Sequence, residues 1–344
     1  MTDDRTNGAP APGDGHGARR PAVVLANLGT PSAPTPSHVR RFLREFLSDR
    51  RVVETHPLLW RPVLEGVVLR VRPRVVAKKY AGIWTPQGSP LMRYTLRQAE
   101  LLGRRMPDVD VQAAMRYGEP GLGAVLDALR ARGTRRVAVL PAYPQYSATT
   151  VASLNDVAAQ WLRRNRDGFD LRLVRSFPTA PAYIDALASA LESHWGRCGR
   201  PDFAAGDAVV VSFHSIPEAM DRAGDPYRSE CMGTVAALEA RLGLARGALT
   251  VAFQSVFGPA AWLGPATIDT VTRLGARGCA RLDVICPGFM ADCLETLEEI
   301  DQLNREAFTR AGGSGFHYVP WGNDSEGAVS ALAEQARTAV AGWV

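Results

Sequence analysis

Short apolar runs alternate along the chain with segments whose apolar residues recur every three or four positions. Eight runs read as strands: 22–28, 109–114, 137–141, 171–174, 208–213, 249–253, 282–286 and 316–319. Most are continuously apolar rather than alternating, the pattern of strands covered on both faces of a parallel sheet. The helical period occupies 94–105, 122–132, 151–164, 182–195, 227–242, 268–275 and 292–310, and a last helix runs from about 325 to the C-terminus. Another helix is expected to begin at Thr35-Pro36, an N-cap residue followed by proline at the first helical position. This order predicts an α/β fold with mostly parallel sheets. An eight-strand barrel fits the same order, but the strandless excursion 52–89 disfavours it. The reading adopted is two doubly wound, Rossmann-like halves, 21–178 (with the excursion 52–89) and 179–323, and a C-terminal helix, 324–344, crossing back. Ligands in such sheets bind at the carboxyl ends of the strands. No repeat of 20–50 residues is visible in the sequence.

Composition narrows the class. Of 344 residues, 46% are hydrophobic and 22% charged, enough for a large core without covalent staples. No apolar run is long enough to span a membrane. The net charge is +5, and all basic residues except Lys78 and Lys79 are arginine. The balance suits an anionic partner, but the arginines are scattered, which argues against nucleic acid. Five cysteines without a C-x-x-C pair fit a reducing compartment and no disulfide framework or structural zinc. Residues 1–20 have no apolar core of a secretory signal and are expected to be a disordered tail on a cytoplasmic protein.

Several residues suit chemistry. His214 directly follows the apolar run 208–213, where a parallel strand delivers its site residues. It reads equally as a base or ligand and as a hydrogen-bonded strand cap. Asp292, Glu295, Glu299 and Gln302 fall on one stripe of a helix advancing about 100° per residue. Such a stripe could pass a divalent cation along; equally, Asp292 and Glu295 have capping-box spacing. Glu298 points off the stripe and is expected in solvent. A histidine with carboxylates and no thiolate pairs suits an ion such as Fe²⁺. The Asn27–Pro31 turn is too short for a G-x-G-x-x-G fingerprint, so a nicotinamide dehydrogenase is not expected. Tyr143, Tyr146 and Trp262 sit in loops after strands, where aromatics anchor a core or pack on a flat conjugated ligand. The apolar stretch 57–71 reads either as a buried helix pair, favoured on composition alone, or as an exposed lip for a greasy substrate or a bilayer.

These motifs in this order resemble the ferrochelatase family, from about residue 23 to 344. The matching segments are NLGTP (27–31), GSP (88–90), RYGEP (116–120), YPQYSATT (143–150), FHSIP (213–217), GDPYRSEC (224–231), FQSVFGPAAWLGP (253–265) and CPGFMADCLETLEEID (286–301). The resemblance implies a lyase that inserts Fe²⁺ into protoporphyrin IX, giving protohaem and two protons in the last step of haem biosynthesis. It implies His214 and Glu295 as catalytic and iron-binding residues, with Glu299 and Asp292 as an acidic path. Leu28, Arg72, Tyr80, Ser89, Arg116, Tyr117, Tyr143 and Trp262 match substrate-binding positions, and the stretch 57–71 matches a hydrophobic lip. Porphyrin and ferrous iron are then the partners, and the lip allows peripheral contact with the inner face of the cell membrane. No tightly bound cofactor is expected. Ala148 stands at one cluster-ligand position of certain members and no cysteine follows Cys293, so no [2Fe–2S] cluster is expected. Val256 stands where many members have a basic residue, and Leu28 where the coproporphyrin-using branch has tyrosine. The alternatives are a chelatase for coproporphyrin III or cobalt, and a non-catalytic porphyrin or haem carrier. The oligomeric state is left open.

Overall fold

Among the residues described by the computed structural model, 20–256 and 260–344, eight strands form two parallel sheets of four. The expected tail therefore lies outside the described residues up to residue 19, as do 257–259 of the motif 253–265. The first sheet holds β1 (Ala22–Gly29), β2 (Asp110–Tyr117), β3 (Arg136–Pro141) and β4 (Asp170–Leu173) in the order β2-β1-β3-β4. The second holds β5 (Ala208–His214), β6 (Thr250–Gln254), β7 (Arg281–Ile285) and β8 (Gly315–Tyr318) in the order β6-β5-β7-β8. The two sheets thus share one topology, a repeat that the sequence does not display. Each reverses winding direction beside its first strand, and there the carboxyl ends open a crevice.

The apolar runs are strands because both their faces are covered. Residues 22–26 and 209–211 have no solvent exposure. Alternate side chains of each sheet enter different clusters: Val23 and Leu25 of β1 join Val209, Val211 and Phe213 of β5 in the core shared by the two halves. The helix Glu326–Val340 fills that shared core with Ala328, Leu332, Ala336 and Val340. It packs on both Pro181–Cys198 and Pro90–Arg105, so the C-terminal helix does cross back. Polar ties reinforce the crossing: Trp343 Nε1 donates to Asp170 at 3.0 Å, and Gln98 Nε2 donates to the carbonyls of Met290 and Asn323 at 2.6 and 2.7 Å.

The helix after Thr35 runs Pro36–Leu47 as expected, although the Thr35 hydroxyl pairs with His38 Nδ1 at 2.7 Å rather than capping a backbone N–H. Gly29 ends β1 at φ +103°, and a Cβ there would lie 1.8 Å from the Tyr117 carbonyl oxygen. That closeness requires glycine and aims the next residues across the sheet edge. Among the described residues three helical stretches are π-wound: Leu64–Val68, Ala148–Ala152 and Glu295–Asn304. The helix expected at 292–310 is therefore a ten-residue π segment followed by Arg305–Arg310. Apolar periodicity does not separate i→i+4 from i→i+5 bonding, and π turns are frequent at functional sites.

The excursion 52–89 is helical, Pro57–Val63, Leu64–Val68 and Leu69–Ile83. Its inner face buries Leu64, Leu69, Ala77, Tyr80 and Ile83 against Phe42 and Tyr117. Its outer face exposes Leu59, Val63, Val67, Val71 and Val75, one residue in four, with Leu58 77% exposed. The buried-pair reading is thus corrected: the segment is apolar on both sides, and only one side is covered.

Candidate active site

His214 is the last residue of β5, and its strand partner on β6 is Gln254. The His214 Nδ1 lies 2.6 Å from the Ser215 carbonyl oxygen. A carbonyl only accepts, so Nδ1 carries a proton, and in the neutral tautomer this selects, Nε2 is the lone-pair nitrogen. Gln254 is 2% exposed and ties four elements together. Its backbone carbonyl accepts from Ser215 N at 2.7 Å, and its Oε1 accepts from Ser212 Oγ at 2.9 Å and Cys286 Sγ at 3.6 Å. Its Nε2 donates to the Glu295 carbonyl oxygen at 2.8 Å. One buried amide therefore joins the strand end that carries His214 to the first residue of the π segment.

Around Glu295 the side chains converge. The buried Cys293 thiol bonds to Glu295, and burial, then that carboxylate, pushes its pKa well up. Tyr80 and Tyr143 are buried phenols held well above their usual range by burial, with Glu295 and Cys293 adding to the effect. The Tyr143 hydroxyl and Trp262 Nε1 are buried without a protein partner. Buried polar atoms are normally bonded, so these two mark a wall that a ligand can complete.

The other acids are more committed. Glu299 accepts from Ser255 N at 2.7 Å and Ser255 Oγ at 2.5 Å, and holds Ser255 at φ +66°, a conformation uncommon for serine. Asp292 accepts from Tyr318 OH at 2.6 Å, Asn323 Nδ2 at 2.7 Å and Thr296 Oγ1 at 2.8 Å. The capping-box reading is corrected by these partners, which are side chains rather than first-turn amides. Glu298 is also corrected: it is 9% exposed, and Lys79 Nζ lies 2.9 Å from its Oε1. The wider π winding swings it off the solvent side, and the pair joins the lip helix to the π segment.

Leu28 is partly buried against the Phe42, Tyr80 and Tyr117 cluster that Leu294 and Leu297 also touch. Arg72 is half-buried on the helix of Tyr80, where burial lowers its pKa. Ser89 is buried and receives the Thr30 hydroxyl at 2.9 Å. A recess of about 340 Å³ beside it is lined by Thr30, Phe42, Trp84, Ser89 and Gly118, and borders neither His214 nor Glu295. Val256 is exposed.

Arg116 and Tyr117 are organised by Asp49, which the sequence reading did not single out. Arg116 Nη2 and the Ser153 hydroxyl each lie 2.5 Å from Asp49 Oδ2, and Tyr117 OH donates to the same oxygen at 2.7 Å. The Asp49 carbonyl accepts from Val52 N and Val53 N at 3.0 and 2.9 Å, where the chain leaves for the lip. Only tertiary folding unites these residues, 67 positions apart in the case of Asp49 and Arg116. Gln254 left a fainter mark, a buried polar residue ending an apolar strand.

The family description that matches residues 20–340 is ferrochelatase. The chain belongs to the ferrochelatase family. A ferrochelatase of Methylibium petroleiphilum is 49% identical over 340 residues, 97% of this chain and 92% of that protein. A ferrochelatase of Polaromonas sp. is 46% identical over 344 residues, with the same shares. Among solved structures, SirB from Bacillus subtilis with Fe³⁺ superposes with a TM-score of 0.51 at 14% identity, covering 74% of this chain and 92% of that one, which shows a common fold. Family membership makes this chain an enzyme, a lyase that inserts ferrous iron into a porphyrin for haem synthesis.

The Asp49 cluster makes a testable contribution to stability. Burial alone would raise the Asp49 pKa, but bonds from Ser153, the Arg51 N–H and Tyr117, with the Arg116 charge, bring it below the usual carboxylate value. A depressed folded-state pKa gives stability that is present above the unfolded value, about 3.9, and lost as pH falls through the folded one. Asp49→Asn should cost about 2 kcal/mol at pH 7. Urea titrations from pH 7 to 3 should also show a flatter acid-side decline than in the parent; an unchanged slope contradicts this role.

Proposed function

We propose that the chain inserts Fe²⁺ into protoporphyrin IX, releasing two protons and protohaem, with His214 and Glu295 as its catalytic and iron-binding residues. The observation that carries this reading is the His214 ring, held through Nδ1 by the Ser215 carbonyl, on a strand end fixed through Gln254 to Glu295. Metallation removes two pyrrole protons while a dication enters, so the site needs a base near neutral pH and oxygen ligands that strip water from iron in steps. Neutral imidazole meets the first need and carboxylates the second. Glu299 and Asp292 extend the carboxylates along the π segment. Their several donors give them fixed positions, suited to passing ions or protons rather than to moving with them.

The porphyrin plane is assigned to the wall of Tyr143, Trp262, Tyr80 and Leu28, with Arg72 and Ser89 toward its propionates. Arg116 and Tyr117 support that wall from behind through Asp49. Leu28, in place of the tyrosine of the coproporphyrin-using branch, favours protoporphyrin. A site that bends the macrocycle exposes a nitrogen lone pair to the metal, which is complementarity to the transition state. We assign no [2Fe–2S] cluster on the sequence itself, in which Ala148 stands at one cluster-ligand position of certain members and no cysteine follows Cys293.

We further assign the outer face of 57–75 to peripheral contact with the inner face of the cell membrane, in an otherwise cytoplasmic protein. Among the described residues no helix is long and apolar enough to cross a membrane. The exposed aliphatic stripe is flanked by the exposed Arg61, Arg70 and Arg74, a pairing of apolar face and positive charge that suits an anionic bilayer. The division at 178/179 into two halves follows the two sheets, with 324–344 shared between them.

His214→Ala should retain porphyrin binding and lower the rate of anaerobic haem formation by about 10²–10⁴-fold, and Glu295→Gln should lower it sharply as well. Near-parental turnover in either protein overturns its role; a Glu295→Gln protein altered only in thermal stability would make that residue structural. Flotation with vesicles containing anionic lipid tests the lip. Changing Leu59, Val63 and Val67 to serine should abolish co-flotation and leave turnover on detergent-solubilised porphyrin in place.

A further inference from the structure

A second group of ligand-type side chains stands apart from this site. Asp283, in the middle of β7, has no solvent exposure, and its register partners are Val209 on β5 and His317 on β8. Val209 precedes His214 by five residues, which separates the two places by roughly 16 Å along the sheet. The helix Pro181–Cys198 brings His194 and Trp195 against the same carboxylate. Five nitrogens then approach two oxygens. Asp283 Oδ1 faces His317 Nδ1 at 2.9 Å, Arg281 Nε at 3.1 Å and His194 Nε2 at 3.3 Å. Oδ2 faces Trp195 Nε1 at 2.8 Å and Arg281 Nη2 at 3.0 Å.

Arg281 and Trp195 alone give the buried charge a counter-ion and three bonds. Arg281 is itself fixed, since its Nη1 donates to the carbonyls of Cys198 and Gly199 at 2.8 and 2.6 Å. A carboxylate oxygen offers about two lone-pair positions, so three nitrogens on Oδ1 are one too many. The two imidazoles exceed what the carboxylate can bond, and at least one presents a ring nitrogen that needs another partner.

We propose that His194 Nε2, His317 Nδ1 and Asp283 Oδ1 form a second divalent-cation site, separate from the one that metallates the porphyrin. These three atoms all lie within 4.8 Å of one another. The nitrogen–oxygen separations of 2.9 and 3.3 Å are those of neighbouring ligands at about 2.1 Å from a common ion. Two imidazoles and one carboxylate suit Zn²⁺, Co²⁺ or Fe²⁺ rather than Mg²⁺ or Ca²⁺. Trp195 and Arg281 hold Oδ2 and so orient the ligating carboxylate. The His317 side chain is 36% exposed, which opens a path for the ion and a place for a water ligand. The Arg281 charge opposes the cation, so this ion exchanges with solution rather than staying for the life of the protein.

The test uses the full chain carrying His214→Ala and Glu295→Gln, which removes the ligands assigned to the reaction. Co²⁺ alone should bind once per chain with visible bands of tetrahedral intensity, and Zn²⁺ alone should displace it and raise the thermal midpoint. Adding His317→Ala should weaken binding at least about tenfold and abolish the Zn²⁺ shift. Because His317 is partly exposed, this protein should fold; His317→Gln, which keeps the volume, should lose the ion equally. Absence of Co²⁺ binding in the background protein, or undiminished binding in both His317 variants, overturns the proposal.

Discussion

The buried amide of Gln254 is the constraint on which the site depends. Its hydrogen bonds fix β6 against β5 and β7 and reach across to the first residue of the π segment. Without that crossing, His214 would end a strand in one element and Glu295 would begin a helix in another, with no shared reference. A polar group bonded through both its oxygen and its nitrogen inside a core resists displacement, because a shift leaves a buried donor or acceptor bare. The same logic recurs at Asp49, which seats Arg116 and Tyr117 and starts the lip, and at the Lys79–Glu298 pair, which ties the lip helix to the π segment. Three polar pins thus relate four pieces of the site that apolar packing alone would leave free to slide.

The architecture explains why the pins are needed. Two sheets of identical strand order place their crevices at carboxyl strand ends, and the helix Glu326–Val340 locks the halves through a common core. That core is strong but non-directional, whereas inserting a dication into a macrocycle requires base, carboxylate and ring at set angles. The lip meets a different need. Its inner face joins the core and its outer stripe leaves aliphatic side chains uncovered, the feature on which the proposed peripheral contact rests.

Much of this was legible in the sequence. All eight strands fall within about three residues of the apolar runs, because a strand covered on both faces writes itself as a continuous run. The largest difference is β2, which continues to Tyr117 after the run at 109–114 ends; Arg116 interrupts the apolar pattern but not the ladder, and Gly29 still pairs with Tyr117. The residues of the site were reached through their motifs and their positions after strands. Less was legible where geometry intervenes. The π winding of Glu295–Asn304 turned Glu298 inward, and the two-faced helices of the lip satisfied both readings of their composition. Asp49 and the role of Gln254 were hidden because their partners are remote in sequence, 67 residues for Arg116 and 41 for Glu295.

On the proposed function, Gln254 acts by positioning His214 and Glu295. This role is tested most directly by steady-state anaerobic haem formation from Fe²⁺ and protoporphyrin IX with Gln254→Leu, whose side chain keeps the volume and loses the bonds, beside Gln254→Glu, which keeps the Oε1 acceptor. Gln254→Leu should lose about a hundredfold in kcat while the porphyrin KM stays near the parental value, and Gln254→Glu, which sets an oxygen against the Glu295 carbonyl in place of the Nε2 donor, should recover none of the loss. Parental kcat in a folded Gln254→Leu protein, or a change confined to KM, would contradict this role.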